Sequence, residues 1–214
     1  MLVKCLALFF GCGIVAALGV MMPFGLWLWF AGPCFFLALW ISIYVAEKLA
    51  WVHVLPSSLL ERLIAAGVLV MLLPGAMFGG FIFSYLEQLL LEPFDFNEIM
   101  RRHTYASMLV GFAGMGLAEA LLLVCAMLLL TKRSEPRSVI AVLMAGVIGC
   151  PLSYSVSGVV YGNTGHQTTG AWSFWWPTYF AYAFALPLFN MACGYWVFQA
   201  SQQHAKDPVR MPRG

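Results

Sequence analysis

The chain has 214 residues, of which 62% are hydrophobic and only 9% are charged, and its formal net charge is +2. Water-soluble domains carry about 25% charged residues, so this composition excludes an ordinary soluble domain and predicts a protein that crosses a membrane several times. The small net charge does not favour a nucleic acid as a partner. The six cysteines form no CxxC pair and lie in apolar runs, so we interpret them as small packing residues.

Six apolar segments follow one another along the chain, each close to or above the length of about 20 residues that a membrane helix requires. They cover residues 2–22, 26–46, 59–86, 105–131, 136–160 and 172–199. The first segment also has the composition of a secretory signal peptide, but the second begins almost at once, which favours a retained helical hairpin. We therefore predict one all-α membrane domain over residues 1–214, a bundle of six transmembrane helices.

The basic residues predict the orientation of this bundle, because cytoplasmic loops carry an excess of Lys and Arg. If the N terminus is cytoplasmic, Arg101 and Arg102 lie outside and the other nine of the 11 Lys and Arg residues lie inside. These nine are Lys4, Lys48, Arg62, Lys132, Arg133, Arg137, Lys206, Arg210 and Arg213. We expect both termini in the cytoplasm, in a multi-pass protein of the inner or plasma membrane.

Small residues and prolines predict how the helices pack and bend. Membrane helices associate where small residues let their backbones approach, and the fifth segment has such residues at every fourth position: Ala141, Ala145, Gly149, Ser153 and Ser157. Pro74 and Pro187 interrupt the third and sixth segments at matching depths. Paired interruptions in two halves of opposite topology are typical of a transporter site, whereas a static kink is the simpler alternative.

Glu119 lies about fifteen residues into the fourth segment, or roughly 20 Å deep at 1.5 Å per residue. A charge at that depth costs roughly 2.5–3.5 kcal/mol, and all Lys and Arg residues lie outside the segments or at their ends. The carboxyl group is therefore protonated, or faces a water-filled cavity, or meets a cation of another subunit. Asn190 is the other deep polar residue. Its amide oxygen is a candidate acceptor for a protonated Glu119, and a structural bond to another helix is the alternative.

A third group of polar residues lies towards the predicted outer face. Glu87, Ser153 and Ser157 would line a vestibule there, although serine hydroxyls in helices often bond to their own backbone. His103 and His166 share that side with several acids and are weak candidates for a metal site, since their spacing matches no metal template. No motif indicates a cofactor.

Two functions fit this sequence. The first is a transporter or channel-like protein for a small solute, an ion or protons, with Glu119 as its ion-sensitive residue. The second is a non-catalytic integral subunit or assembly factor of a larger membrane complex, with other membrane subunits or further copies of this chain as partners besides the lipid bilayer. An enzyme is less favoured, because no histidine lies within a segment to act as a base for a nucleophile.

Overall fold

The computed structural model describes residues 1–21, 27–54, 63–64, 67, 105–163 and 172–206. Side chains are described for residues 1–18, 36–54, 63–64, 67, 109–152, 155 and 185–205. Throughout these ranges the regular structure is helical and no strand occurs. The all-α fold class is therefore confirmed for the described part of the chain.

Five long helices make up the described part. They are α1 (Leu2–Met21), α2 (Trp27–Lys48), α3 (Tyr105–Thr131), α4 (Pro136–Asn163) and α5 (Trp172–Lys206). Each lies on one of the predicted apolar segments, and Pro136 begins α4, where its missing N–H removes no helical hydrogen bond. The remaining segment, 59–86, lies outside the described residues except for three helical positions: Leu63, Ile64 and Gly67.

Within the described residues, one helical stretch is long and apolar enough to cross a membrane, and it runs from Leu109 to Thr131. The stretches Leu2–Leu18 and Pro136–Leu152 are apolar but shorter. The core helix of a soluble protein can meet the same criterion, which depends only on length and composition. The structure thus supports a helical bundle with one candidate membrane span among the described residues, and the six-span arrangement stays a prediction.

The helix α5 lies at the centre of the described bundle. Both α1 and α4 pack extensively against α5, α2 packs on α1, and α3 packs on α4. Two close contacts show the relative direction of α1 and α5. A Cβ on Gly194 would lie 2.6 Å from Phe9 Cγ, and a Cβ on Gly13, later in α1, would lie 2.6 Å from Cα of Pro187, earlier in α5. These two helices are therefore antiparallel.

The helices α3 and α4 touch most closely where Gly116 meets Gly146. A Cβ on either glycine would overlap the backbone of the other, and one on Gly146 would also lie 3.0 Å from Ala120 Cβ. The predicted small-residue face did not include this pair. Its Gly149 meets α5 instead, where a Cβ would lie 3.2 Å from Leu188. One face of α4 thus packs against α3 and another packs against α5. Small residues at every fourth position do not indicate which neighbouring helix each face contacts.

The helix α5 continues beyond the predicted end at residue 199, up to Lys206. The backbone N–H of His53 donates to Ser201 Oγ at 2.8 Å, and Val52, Val54 and Ala200 are buried in the same apolar cluster. With 35 residues, α5 is about 52 Å long at 1.5 Å per residue. Tertiary contacts therefore extend the helix past its apolar sequence.

Candidate functional site

Two of the predicted site residues are described with their side chains, Glu119 on α3 and Asn190 on α5, and both are buried. The others lie outside the described part, either entirely or in their side chains: Glu87, His103, His166, Ser153 and Ser157. The outer vestibule and the weak metal site therefore stay predictions. Among the described residues, no group of three or more His, Cys, Asp or Glu side chains is placed to hold a metal ion.

Glu119 lies inside the apolar stretch Leu109–Thr131, about 18 Å from its end at Thr131. The residue is only 3% exposed, and its Oε2 has no hydrogen-bond partner in the described part of the chain. A buried carboxylate that is neither paired nor hydrogen-bonded is strongly disfavoured. This geometry therefore favours the neutral carboxyl group over the carboxylate.

The surroundings of Glu119 are set by the contact between α3 and α4. Gly116 lies one turn before Glu119 and Ala120 directly after it, and both pack against Gly146. The thiol of Cys150 is close enough to interact electrostatically with the Glu119 carboxyl group. The helix beside this part of α3 is therefore α4.

Asn190 joins three helices through its side-chain amide. Its Nδ2 donates to the carbonyl oxygen of Phe9 on α1 at 2.6 Å and to Ser42 Oγ on α2 at 3.3 Å. Ser42 in turn donates to Ala38 O at 2.7 Å. Asn190 and Ser42 are fully buried. The structural alternative for Asn190, a bond across to another helix, is the one that the structure shows.

The predicted hydrogen bond between Glu119 and Asn190 is not formed. The acceptor that it requires, Asn190 Oδ1, has no hydrogen-bond partner among the described residues. Glu119 and Asn190 nevertheless lie at nearly the same depth in the bundle, within about one helical turn. On α4, Gly146 lies against Ala120, the residue after Glu119, and Gly149 lies against Leu188, two residues before Asn190. The bundle thus has two buried oxygens without a described partner at a similar level, one on α3 and one on α5.

The other polar network fixes the turn between α3 and α4 to α5. The indole Nε1 of Trp196 donates to Arg133 O at 2.9 Å and to Thr131 Oγ1 at 3.1 Å. Trp196 is almost fully buried. Sequence reasoning missed this contact, although a tryptophan in an apolar helix is itself a signal, since its buried N–H requires an acceptor.

Basic residues of the described helices gather at this end of the bundle, which we name the basic end. Contacts of α5 with the start of α1, the segment after α2 and the α3–α4 turn bring them together. The basic end comprises the residues Lys4, Lys48, Lys132, Arg133, Arg137 and Lys206. Two acids, Glu47 and Glu135, also lie there. The charge pattern assigns these six residues to the cytoplasmic side, and that assignment stays a prediction.

His204 lies in the last turns of α5, at the basic end. Partial burial lowers the pKa of its imidazole, and the positive charge of Arg133 lowers it further. Its Nε2 is buried without a hydrogen-bond partner in the described part of the chain. The neutral imidazole is therefore the form that fits this position.

Similarity to known proteins gives no further assignment. No protein-family model matches the chain, and neither the curated proteins nor the solved structures include one that is detectably similar to it. The function must therefore be argued from the geometry of Glu119 and its neighbours.

Proposed function

We propose that this chain is a multi-pass integral membrane protein, with both termini in the cytoplasm, that moves a small solute or an ion across the bilayer. Glu119 is its proton- or cation-sensitive group. The observation that carries the proposal is the burial of this carboxyl group, without a described partner for Oε2, in the middle of an apolar helix. Ionisable residues at such positions commonly mark ion or proton pathways.

The apolar exterior of the bundle supports the membrane part of the proposal. Four large apolar side chains recur at every fourth position of α4, and each is exposed to between 48% and 57%: Ile140, Met144, Ile148 and Leu152. Similar side chains are exposed on α1, α2 and α3, including Val3, Leu18, Leu37, Ile41, Leu121 and Leu128. Soluble monomers rarely expose contiguous apolar patches of this kind, whereas lipid-facing helices do so along their length.

The position of the charges supports the proposed orientation. Lys4, Lys132 and Arg137 are exposed at the basic end, where the ends of several helices meet. Membrane proteins carry an excess of Lys and Arg on their cytoplasmic side. The basic end is therefore proposed to be cytoplasmic. Glu119 is then separated from the basic end by about 18 Å of apolar helix.

Replacing Glu119 tests the proposed mechanism. The purified protein is placed in liposomes that contain a pH-sensitive dye, and proton flux is measured after a pH step outside. We expect Glu119→Gln to lower the flux to the level of protein-free liposomes, because an amide cannot take up and release the proton. Glu135→Gln, at an acid in the α3–α4 turn, is the matched control and should retain the flux of the wild type.

Two results would contradict this proposal. One is a wild-type protein that conducts no faster than protein-free liposomes, and the other is an unchanged flux in Glu119→Gln. The amount of protein inserted is compared between samples by quantitative gel analysis, so that a difference in flux is not a difference in reconstitution.

A non-catalytic integral subunit of a larger complex is the second proposal. The exposed apolar face of α4 is compatible with a neighbouring subunit as well as with lipid. However, the small residues Gly116, Gly146 and Gly149 make contacts within the chain, so they give no support for an external partner. Affinity purification in mild detergent separates the two proposals, since stable co-purification of other membrane chains favours the subunit and a monodisperse single chain favours the transporter.

A further inference from the structure

The packing around Glu119 limits which ion this residue can accept. This inference rests on the proposed function and concerns the same site. Gly116 and Ala120, on either side of Glu119 along α3, are held against α4 with no room for an added methyl group at Gly116. A Cβ there would overlap the Gly146 backbone and lie 3.1 Å from Cys150 Sγ.

A metal cation needs space and several ligands. Ca²⁺ takes about six to eight oxygens at about 2.3–2.6 Å, and Mg²⁺ takes about six in a strict octahedron. Among the described residues, Glu119 included, no group of three or more His, Cys, Asp or Glu side chains is placed to hold a metal ion. One turn before Glu119, Gly116 lies against the Gly146 backbone, so the contact between α3 and α4 has no room for a ligand shell at that point. A proton, by contrast, adds to a carboxylate oxygen without additional volume.

We propose that the ion taken up and released at Glu119 is a proton rather than a metal cation. In the uptake step the Glu119 carboxylate accepts a proton from a hydronium ion, which forms the carboxyl O–H bond and leaves one water molecule. The release step is the reverse. Oε2 is the oxygen that has no described partner and is therefore available for the proton.

Few other titratable groups face this position from the described neighbours. On α4 the group is the Cys150 thiol. On the described side-chain range of α5, Cys193, Tyr195 and His204 all lie towards the basic end from Asn190, and on α3 itself Cys125 is exposed on the outer surface. An infrared band from a protonated carboxyl group in the membrane region is therefore assigned to Glu119 if the band disappears in Glu119→Gln.

Infrared spectroscopy of the full chain in lipid bilayers tests the proton assignment directly. A protonated carboxyl group has a carbonyl stretching band that is separate from the bands of carboxylates and amides. We expect this band in the wild type, its loss in Glu119→Gln, and a decrease in its intensity as the pH is raised. The midpoint of that decrease should be the same in sodium, potassium, magnesium and choline chloride.

A decrease of the band on addition of sodium, potassium or magnesium at constant pH would overturn the assignment, because the cation would then be displacing the proton. Absence of the band at every pH at which the protein is folded would overturn it as well. If Glu119→Gln does not fold, Glu119→Asp identifies the band, because the band should then persist but no longer shift when glutamate is labelled with ¹³C. The flux measurement tests the proposed transport, whereas the infrared band tests only which ion occupies Glu119. Failure of one proposal is therefore distinguishable from failure of the other.

Discussion

Glu119 and Asn190 show two ways in which a buried polar side chain fits into an apolar bundle. Asn190 Nδ2 bonds to Phe9 O and Ser42 Oγ and so holds α1 and α2 against α5. Glu119 lies in the contact of α3 with α4, and its Oε2 has no such bond in the described part. Both residues were found from the sequence because a polar residue stands out in an apolar segment. Their partners depend on which helices are neighbours, and the sequence does not specify that.

Ala50 closes the C-terminal end of α2 in a conformation that favours glycine. Its N–H donates to Glu47 O at 2.9 Å, the N–H of Trp51 donates to Ala46 O at 2.9 Å, and the φ angle of Ala50 is 54°. This is a Schellman motif with alanine in the left-handed position. The left-handed conformation costs an L-residue about 1–2 kcal/mol, so the position carries backbone strain.

We expect Ala50→Gly to raise the free energy of unfolding by about 1 kcal/mol, because glycine adopts the left-handed conformation without that cost. The same substitution at Ala7, an exposed position within α1, should instead lower it by up to about 1 kcal/mol. Denaturation in mixed micelles, followed by circular dichroism, measures both. Equal signs for the two variants would contradict the assignment of strain to Ala50.

His204 makes the stability of the basic end dependent on pH. Its pKa is lowered in the folded protein, first by burial and then by Arg133, so the unfolded chain takes up this proton first as the pH falls. The folded state is therefore destabilised as the pH falls through the ordinary histidine value of about 6.5.

We expect His204→Gln to lose less stability than the wild type between about pH 7.5 and pH 5, measured as the shift of the thermal midpoint across that range. Gln202→Ala, at an exposed residue of the same helix end, is the control and should keep the slope of the wild type, because it removes no titratable group. An unchanged slope in His204→Gln would show that another group dominates the acid response.

The helices themselves follow from the length of each apolar run. The predicted bounds of α3, 105–131, agree with the structure because apolar residues end at Thr131 and charged residues follow at once. The helix α5 extends beyond the apolar segment 172–199, since its last turns are polar and are held by contacts with the residues after α2. Composition therefore predicts a helix boundary well where the chain turns, and less well where a helix continues beyond the apolar layer.

The contact of α3 with α4 should tolerate nothing larger than glycine at its centre. Gly116→Ala adds a methyl group against the Gly146 backbone, and we expect a loss of about 1–3 kcal/mol in the free energy of unfolding. Gly11→Ala is the matched control, because no atom lies within 4 Å of a Cβ built there. That variant should be neutral or gain up to about 1 kcal/mol from better helix propensity. Similar losses in both variants would contradict the close approach.

The described part of the bundle has its basic residues at one end and apolar side chains on its outside, and this arrangement predicts a topology. Ser134 is exposed in the α3–α4 turn at the basic end, and Asn163 is the last residue of α4. The backbone between Pro136 and Asn163 extends over about 42 Å, which exceeds the hydrocarbon thickness of about 30 Å. The two positions are therefore expected on opposite sides of the membrane.

Labelling with a membrane-impermeant maleimide measures this topology. We expect Ser134→Cys to react in inverted membrane vesicles and to be protected in intact cells, and Asn163→Cys to show the reverse. The wild type supplies the background from its own cysteines. Reaction of both variants from the same side would contradict a membrane-spanning α4 and the orientation based on the basic residues.

The sequence by itself determined the helical class and where along the chain the described helices lie, because these depend on local composition. It also marked Glu119 and Asn190 as exceptional. Only the tertiary structure decided that Gly116 meets Gly146, that Asn190 bonds to α1 and α2, and that Trp196 holds the α3–α4 turn. These contacts depend on which faces of distant helices meet, and in a bundle with apolar residues on every face, periodicity leaves that choice open.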